Sequence, residues 1–228
     1  MPGLGNVDPQ YIATIIVTFI IAITIHEFMH AWTAFRLGDS TARWQGRLTL
    51  DPRVHFDPMG GTLLVITMAF SSLQGGFFAF GWARPTPVNP LNLQGGRRGE
   101  ALVAVAGPLS NLVMAVAAAL PLRYVLGSPE LWRTVNDSEP LRLAFDVGLA
   151  FLTLNILLFL FNLIPIPPLD GWRVLLGVAP PQLAYQLRDI EARYASIIPI
   201  IFLAFLFLGG FRIISPLLIG LRDLLLGI

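Results

Sequence analysis

The chain has 228 residues, 55% of them hydrophobic and only 13% charged, with a mean hydropathy of +0.69; soluble domains carry about 25% charged residues, so a membrane protein is expected. A net charge of +1 without a clustered basic surface argues against nucleic acid as a partner. Cysteine is absent, which excludes disulfides, thiolate ligands and a cysteine nucleophile and leaves His, Asp and Glu for any transition metal.

The stretch from Met1 to Gln10 carries Asp8 and no Arg. A secretory signal opens with positive charge and closes on a small-residue cleavage site, so the first apolar segment is expected to be retained. Five blocks approach the roughly 20 apolar residues that a spanning helix needs: Tyr11 to Leu37, Gly60 to Gly81, Ala101 to Val125, Leu143 to Leu169 and Ala195 to Ile228. The second is rich in Gly and Ser and is expected to bend or re-enter rather than cross. The last is long enough for a spanning helix plus, after Gly209 and Gly210, a second helix carrying Arg212, Arg222 and Asp223. Between the first two blocks, Ala42 to Leu50 alternates in part between apolar and polar residues and is followed by Asp51-Pro52 and Asp57-Pro58, which predicts a short β-hairpin at the membrane surface. Arg84 to Pro90 contains three prolines and is expected to be extended. No polar stretch is long enough for a separate soluble domain. The expected fold is therefore one all-α polytopic membrane domain over residues 1–228, with roughly four to six transmembrane helices, a membrane-associated hairpin and a re-entrant segment.

The first block contains His26-Glu27-Phe28-Met29-His30. Residues i and i+4 share a helix face, so His26 and His30 can hold one zinc, with Glu27 beside it to take a proton from an attacking water and hand it to a leaving amine. The alternative, a polar helix-packing patch, must absorb ionisable groups that cost about 2.5–3.5 kcal/mol each for Asp or Lys in a spanning segment, and three such groups fall within five positions here. Catalytic zinc takes three protein ligands and keeps one position open. The run from Asn162 through Pro165, Pro167 and Pro168 to Asp170-Gly171 closes the fourth block. Beside the His pair, Asp170 reads as the third ligand rather than as a mere turn residue. Asn162 fits either an amide donor to a developing oxyanion or a partner for backbone freed by Pro165.

One metal site requires His26 and Asp170 at one membrane depth. The N-terminal tail lacks Arg, whereas Arg36, Arg43, Arg47 and Arg53 follow the first block, so the positive-inside rule puts the tail outside and the site toward the cytoplasmic face of the cell (inner or plasma) membrane. Had the second block crossed, Asp170 would lie most of a bilayer away, roughly 20 Å or more. Gly60 to Gly81 is therefore expected to dip in and return. Cysteine labelling that placed a residue near Asn92 outside would contradict this.

Gly107, Pro108 and Asn111 in the third block read first as helix-packing residues, with contact between Asn111 and the site as the lesser alternative. His55 lies among Asp-Pro turns and is expected to face solvent or hold a turn rather than bind metal. Ala42 to Leu50 is expected to offer a strand edge to an unwound substrate. A non-catalytic membrane regulator or a transporter is the competing class; the presence of Glu27 and the single polar constellation weigh against it.

Three segments, His26 to His30, Gly107-Pro108-Leu109-Ser110-Asn111 and Asn162 to Gly171, together resemble the site-2 protease family of intramembrane metalloproteases, and they occur in that family's order. Asp51 to Pro58 and Gly81 to Pro90 are also similar to segments of bacterial members. The likeness covers roughly residues 11 to 175, leaving 195–228 as C-terminal helices. It implies one zinc per chain held by His26, His30 and Asp170, Glu27 as base, and a transmembrane protein substrate cut within the lipid bilayer in regulated intramembrane proteolysis. Trp172 departs from the family pattern, where a second small residue is common, and no segment resembles a PDZ or CBS module.

Overall fold

The computed structural model describes residues 9–73, 81–205 and 211–228. In chain order the helices are α1 (Pro9–Arg36), the single turns α2 (Thr41–Trp44) and α3 (Pro52–His55), α4 (Pro58–Leu73), α5 (Arg97–Leu126), α6 (Pro129–Asp137), α7 (Glu139–Asn162), α8 (Asp170–Val178), α9 (Pro181–Arg193), α10 (Ile198–Phe205) and α11 (Phe211–Leu226). Three of the described helices are long and apolar enough to cross a membrane: Ile12–Arg36, Arg97–Leu126 and Glu139–Asn162. The second apolar block gives the 16-residue α4, with residues 74–80 outside the described part. The last block is divided between α10 and α11, and its Gly209-Gly210 junction also lies outside the described residues.

The central helix is α5, which packs against α1, α7, α8 and α11. Small buried residues, Ala115 and Ala119, let α7 approach with Leu152 and Ile156, and Leu226 of α11 closes the same cluster. Lipid tails are as apolar as these side chains, so close packing rather than water exclusion holds such helices together. A side chain larger than Ala at 115 or 119 would have to push α7 away, at about 1–3 kcal/mol. The fourth apolar block ends earlier than its hydropathy suggests. Pro165, Pro167 and Pro168 cannot continue a helix, so α7 stops at Asn162 and α8 starts at Asp170.

The expected β-hairpin is not found, and no strand occurs among the described residues. Asp39 is the reason. Its Oδ1 accepts from the Thr41 N–H at 3.1 Å and the Thr41 hydroxyl at 2.5 Å, which turns the chain into the helical turn α2. Arg43 then lies over the Phe35 ring at 5.1 Å, and Gly46, at φ +69°, reverses the chain. Partial alternation over nine residues loses to these fixed bonds, and the substrate edge expected at Ala42 to Leu50 loses its basis with them.

Residues 38–93 form an excursion that leaves and rejoins one end of the bundle. The Gln94 N–H donates to the Leu37 carbonyl at 2.8 Å, so the end of α1 and the approach to α5 are neighbours. Within the excursion the chain also doubles back, because a Cβ placed on Gly60 would lie 2.1 Å from the Trp82 carbonyl oxygen. Residues 81–89 then run extended along α1, from Trp82 beside Gly60 through Thr86 beside Glu27 to Asn89 beside Asp39.

Candidate metal centre

His26 and His30 stand one turn apart on α1, with their Nε2 atoms 3.0 Å from each other. Asp170 Oδ2 lies 3.1 Å from His26 Nε2 and 3.3 Å from His30 Nε2. Bonds of 2.0–2.1 Å to a tetrahedral zinc would set donors about 3.3 Å apart. Each imidazole is fixed from behind: His26 Nδ1 meets Asn111 Oδ1 at 2.6 Å, and His30 Nδ1 meets the Val103 carbonyl at 2.7 Å. Both partners accept, so the Nδ1 atoms carry the protons and both Nε2 lone pairs turn toward the Asp170 carboxylate. Three electron-pair donors at this spacing repel one another unless a cation or a proton lies between them, so the donor set fits a metal.

Gly107 keeps the point where these donors converge open. A Cβ at this position would fall 2.4 Å from His30 Nε2 and 2.6 Å from His26 Nε2. Any larger residue would fill the cradle in which the donors converge.

Behind His26 runs a buried amide relay. Asn111 accepts from His26 and donates to Asn155 Oδ1 of α7 at 2.9 Å, while Asn155 donates to the Phe151 carbonyl at 2.9 Å. Both side chains have 0% exposure, so every amide group needs a partner, and the relay supplies one without water.

Glu27 is 8% exposed, and its ligating atom lies within 4.8 Å of those of His26 and His30. Its Oε2 accepts from the Thr86 N–H at 2.9 Å and the Thr86 hydroxyl at 2.8 Å. No hydrogen bond to Oε1 is seen among the described residues.

Asp170 is set by the placement of α8. Gly171 lets the helix start against the preceding loop, since a Cβ there would meet the Leu163 carbonyl oxygen at 2.3 Å. The carboxylate occupies the first turn of α8, where helix dipoles favour negative charge. Gly177 rests on Ala101, and Arg97 donates to the Leu176 and Ala179 carbonyls at 3.3 and 3.2 Å, tying the far end of α8 to α5. Glu100, buried at the start of α5, takes Arg173 of α8 at 3.2 Å and Arg188 of α9 at 2.5 Å. Trp172 contributes to the same lock, donating to Glu191 at 2.8 Å.

No family model and no solved structure matches the chain. Relatives do. "Putative zinc metalloprotease YwhC" of Bacillus subtilis is 35% identical over 219 residues, covering 93% of this chain and 89% of that protein. Proteins named "Putative zinc metalloprotease Rip2" are 32% identical over 166 residues in Mycobacterium tuberculosis and 33% over 167 in Mycolicibacterium smegmatis, each covering 71% of this chain and 55% of the relative. The chain belongs to the site-2 protease family. These relatives are named as zinc enzymes, and zinc is the metal that the two-His, one-carboxylate donor set suits.

In this family member the structure brings His26, Glu27, His30 and Asp170 into one cluster, and among the described residues Asn162 makes no hydrogen bond to any of them. The Asn162 amide donates to the Leu158 carbonyl, one turn back on α7, at 3.0 Å. Asn111, read first as a packing residue, touches the site through His26. Of the two readings of His55, facing solvent fails, since it is 1% exposed, and holding a turn fits. Its Nε2 donates to the Thr49 carbonyl at 2.9 Å, so folding of the loop over α3 carries the ring inside. Sequence reasoning missed three residues. Asn155 was legible as an amide in the middle of an apolar helix, a feature that marks function by default. Thr86 gave no such signal, because a Thr between prolines has an ordinary explanation, and Gly107 read as a packing residue rather than as part of the site.

Proposed function

We propose that this chain is an intramembrane zinc metalloendopeptidase, with His26, His30 and Asp170 holding one metal and Glu27 acting as the general base and acid. The observation that carries this reading is the meeting of three donor atoms at 3.0–3.3 Å beside a buried carboxylate, on helices apolar enough to cross a bilayer. A bound zinc supplies Lewis acidity, drawing the pKa of water toward about 7 and polarising a carbonyl.

The chain's own residues do the rest. Asn111 and Val103 hold the imidazoles in the ligating tautomer. Thr86 fixes one oxygen of Glu27, so the other is presented to the water that attacks the scissile carbonyl. Glu27 takes that water's proton at Oε1 and passes it to the departing amide nitrogen. Asn162 stands one turn from its present acceptor and would serve the oxyanion by releasing Leu158 when substrate enters.

The membrane placement follows from the same frame. The excursion that returns Gln94 to Leu37 supports a re-entrant passage for residues 60–81, and the arginines near that end support a cytoplasm-facing site. Substrates are accordingly transmembrane segments, whose helix must unwind before a peptide bond can reach Glu27. Replacing Glu27 with Gln tests the assignment. Zinc content of the variant should equal wild type while cleavage of a reconstituted single-pass substrate falls by about 10²–10⁴-fold, as expected when a positioned base is lost with its proton acceptor. A Glu27→Gln protein that still cleaves at near wild-type rate would contradict it.

A further inference from the structure

A cavity of about 560 Å³ lies on the Glu27 face of α1, within the size range of pockets that bind small ligands. One wall is the α1 stripe of Ile16, Ile20, Ile23 and Thr24, and the facing walls are His55 and Trp82. Positions 16, 20, 23, 24 and 27 share one helix face, so the stripe leads directly to the base. The Trp82 wall leads there too, because four residues further the same extended segment bonds Glu27 through Thr86.

Two of the wall residues carry buried polar atoms that have no hydrogen-bond partner: Thr24 Oγ1 and His55 Nδ1. His55 Nε2 donates to Thr49, so Nδ1 is a bare acceptor. Thr24 is 5% exposed and His55 1%. Buried groups left in this state are unfavourable and are expected to gain partners from an occupant. A lipid acyl chain offers neither donors nor acceptors. An unwound peptide offers both at every residue and brings apolar side chains as well.

We infer that this cavity is a substrate subsite that accepts a large apolar side chain of the unwound transmembrane segment, with substrate backbone groups meeting Thr24 and His55 after small side-chain rotations. The inference rests on the protease reading and adds its selectivity. Helix rise places Ile20 about 10 Å along α1 from Glu27, and an extended peptide covers about 3.3 Å per residue. The selected side chain therefore lies about three residues from the scissile bond.

The test uses the full chain in phosphatidylcholine–phosphatidylglycerol vesicles and a single-pass model substrate. Each position within four residues of the scissile bond carries Ala, Leu, Phe or Lys in turn. Wild type should prefer Leu or Phe over Ala and Lys by about tenfold or more in kcat/KM at one position about three residues away, a discrimination typical of an apolar pocket. Ile20→Trp fills the cavity and should collapse that ratio toward one, with zinc content reporting that the variant is folded. A second arm does not depend on turnover. A benzoylphenylalanine at the selected substrate position, bound to the Glu27→Gln protein, should crosslink to the Ile20 and Trp82 walls.

A preference profile unchanged by Ile20→Trp, or crosslinks that map away from these walls, would overturn the subsite. So would a photoactivatable phospholipid that still labels the cavity under saturating substrate, which would make it a lipid pocket. Absence of any cleavage by wild type would instead sink the protease reading, while the crosslinks would still report on the cavity.

Discussion

The bundle that carries the candidate metal donors and the excursion of residues 38–93 are built on different rules. In the bundle, His26 is fixed by Asn111 and Asn111 by Asn155, each on another helix, and Asp170 is set by the close seating of α8 on α5. In the excursion, single-turn helices and extended chain are held by carboxylates that reach across to distant backbone, as Asp39 does to Asn89 at 2.7 Å and Glu27 to Thr86. Helical spacing makes the first kind of order readable from periodicity. The second kind depends on which loops meet, and local pattern does not encode that.

The largest effect should come from the bundle. Gly107→Ala puts a methyl group 2.4–2.6 Å from both Nε2 atoms, so it should abolish zinc binding and cleavage together while leaving helix content intact by circular dichroism. A Gly107→Ala protein that binds zinc normally would show that the donors converge on a different point. Next in size is Asn111→Ala, which removes the acceptor that fixes His26. Outer-shell losses of this kind cost 10–100-fold in metal affinity, readable by competition with a chelator, and Asn155→Ala should follow in the same direction with a smaller loss.

The smallest effect should come from the excursion, and it should depend on pH. Burial raises the Asp39 carboxyl, but the Thr41 hydroxyl, the Asn89 N–H and the Asn92 amide outweigh it and hold the group below its ordinary value of 3.8. A carboxylate with a depressed folded pKa stabilises the protein at pH above that ordinary value, and the contribution is lost as pH falls through it toward the folded pKa. Melting of wild type should therefore weaken below about pH 4 relative to Asp39→Asn, and the variant should be less stable at neutral pH by about 1–3 kcal/mol. Equal melting of the two proteins across pH 3–7 would mean that Asp39 does not organise the excursion.

The same division explains what the sequence made legible. The His pair at helical spacing and Asp170 at the end of the proline run follow from helix geometry and the helix-stopping prolines, and the structure brings the three side chains together. The early end of α7 was underestimated because hydropathy continued through Leu163, Ile164 and Ile166 after the prolines had stopped the helix. Ala42 to Leu50 read as a hairpin because its alternation is local, whereas the bonds that decide it come from Asp39 and the 89–92 segment. His55 read as solvent-facing or turn-holding because its neighbours are turn residues, and its bond to the Thr49 carbonyl selects the second.

Metal content of the purified chain tests the central claim most directly, measured by mass spectrometry on wild type and on Asp170→Ala alongside cleavage of one transmembrane substrate. The account predicts about one zinc per wild-type chain, with zinc and cleavage both lost in the variant. Zinc absent from active wild type, or bound equally well without Asp170, would contradict it.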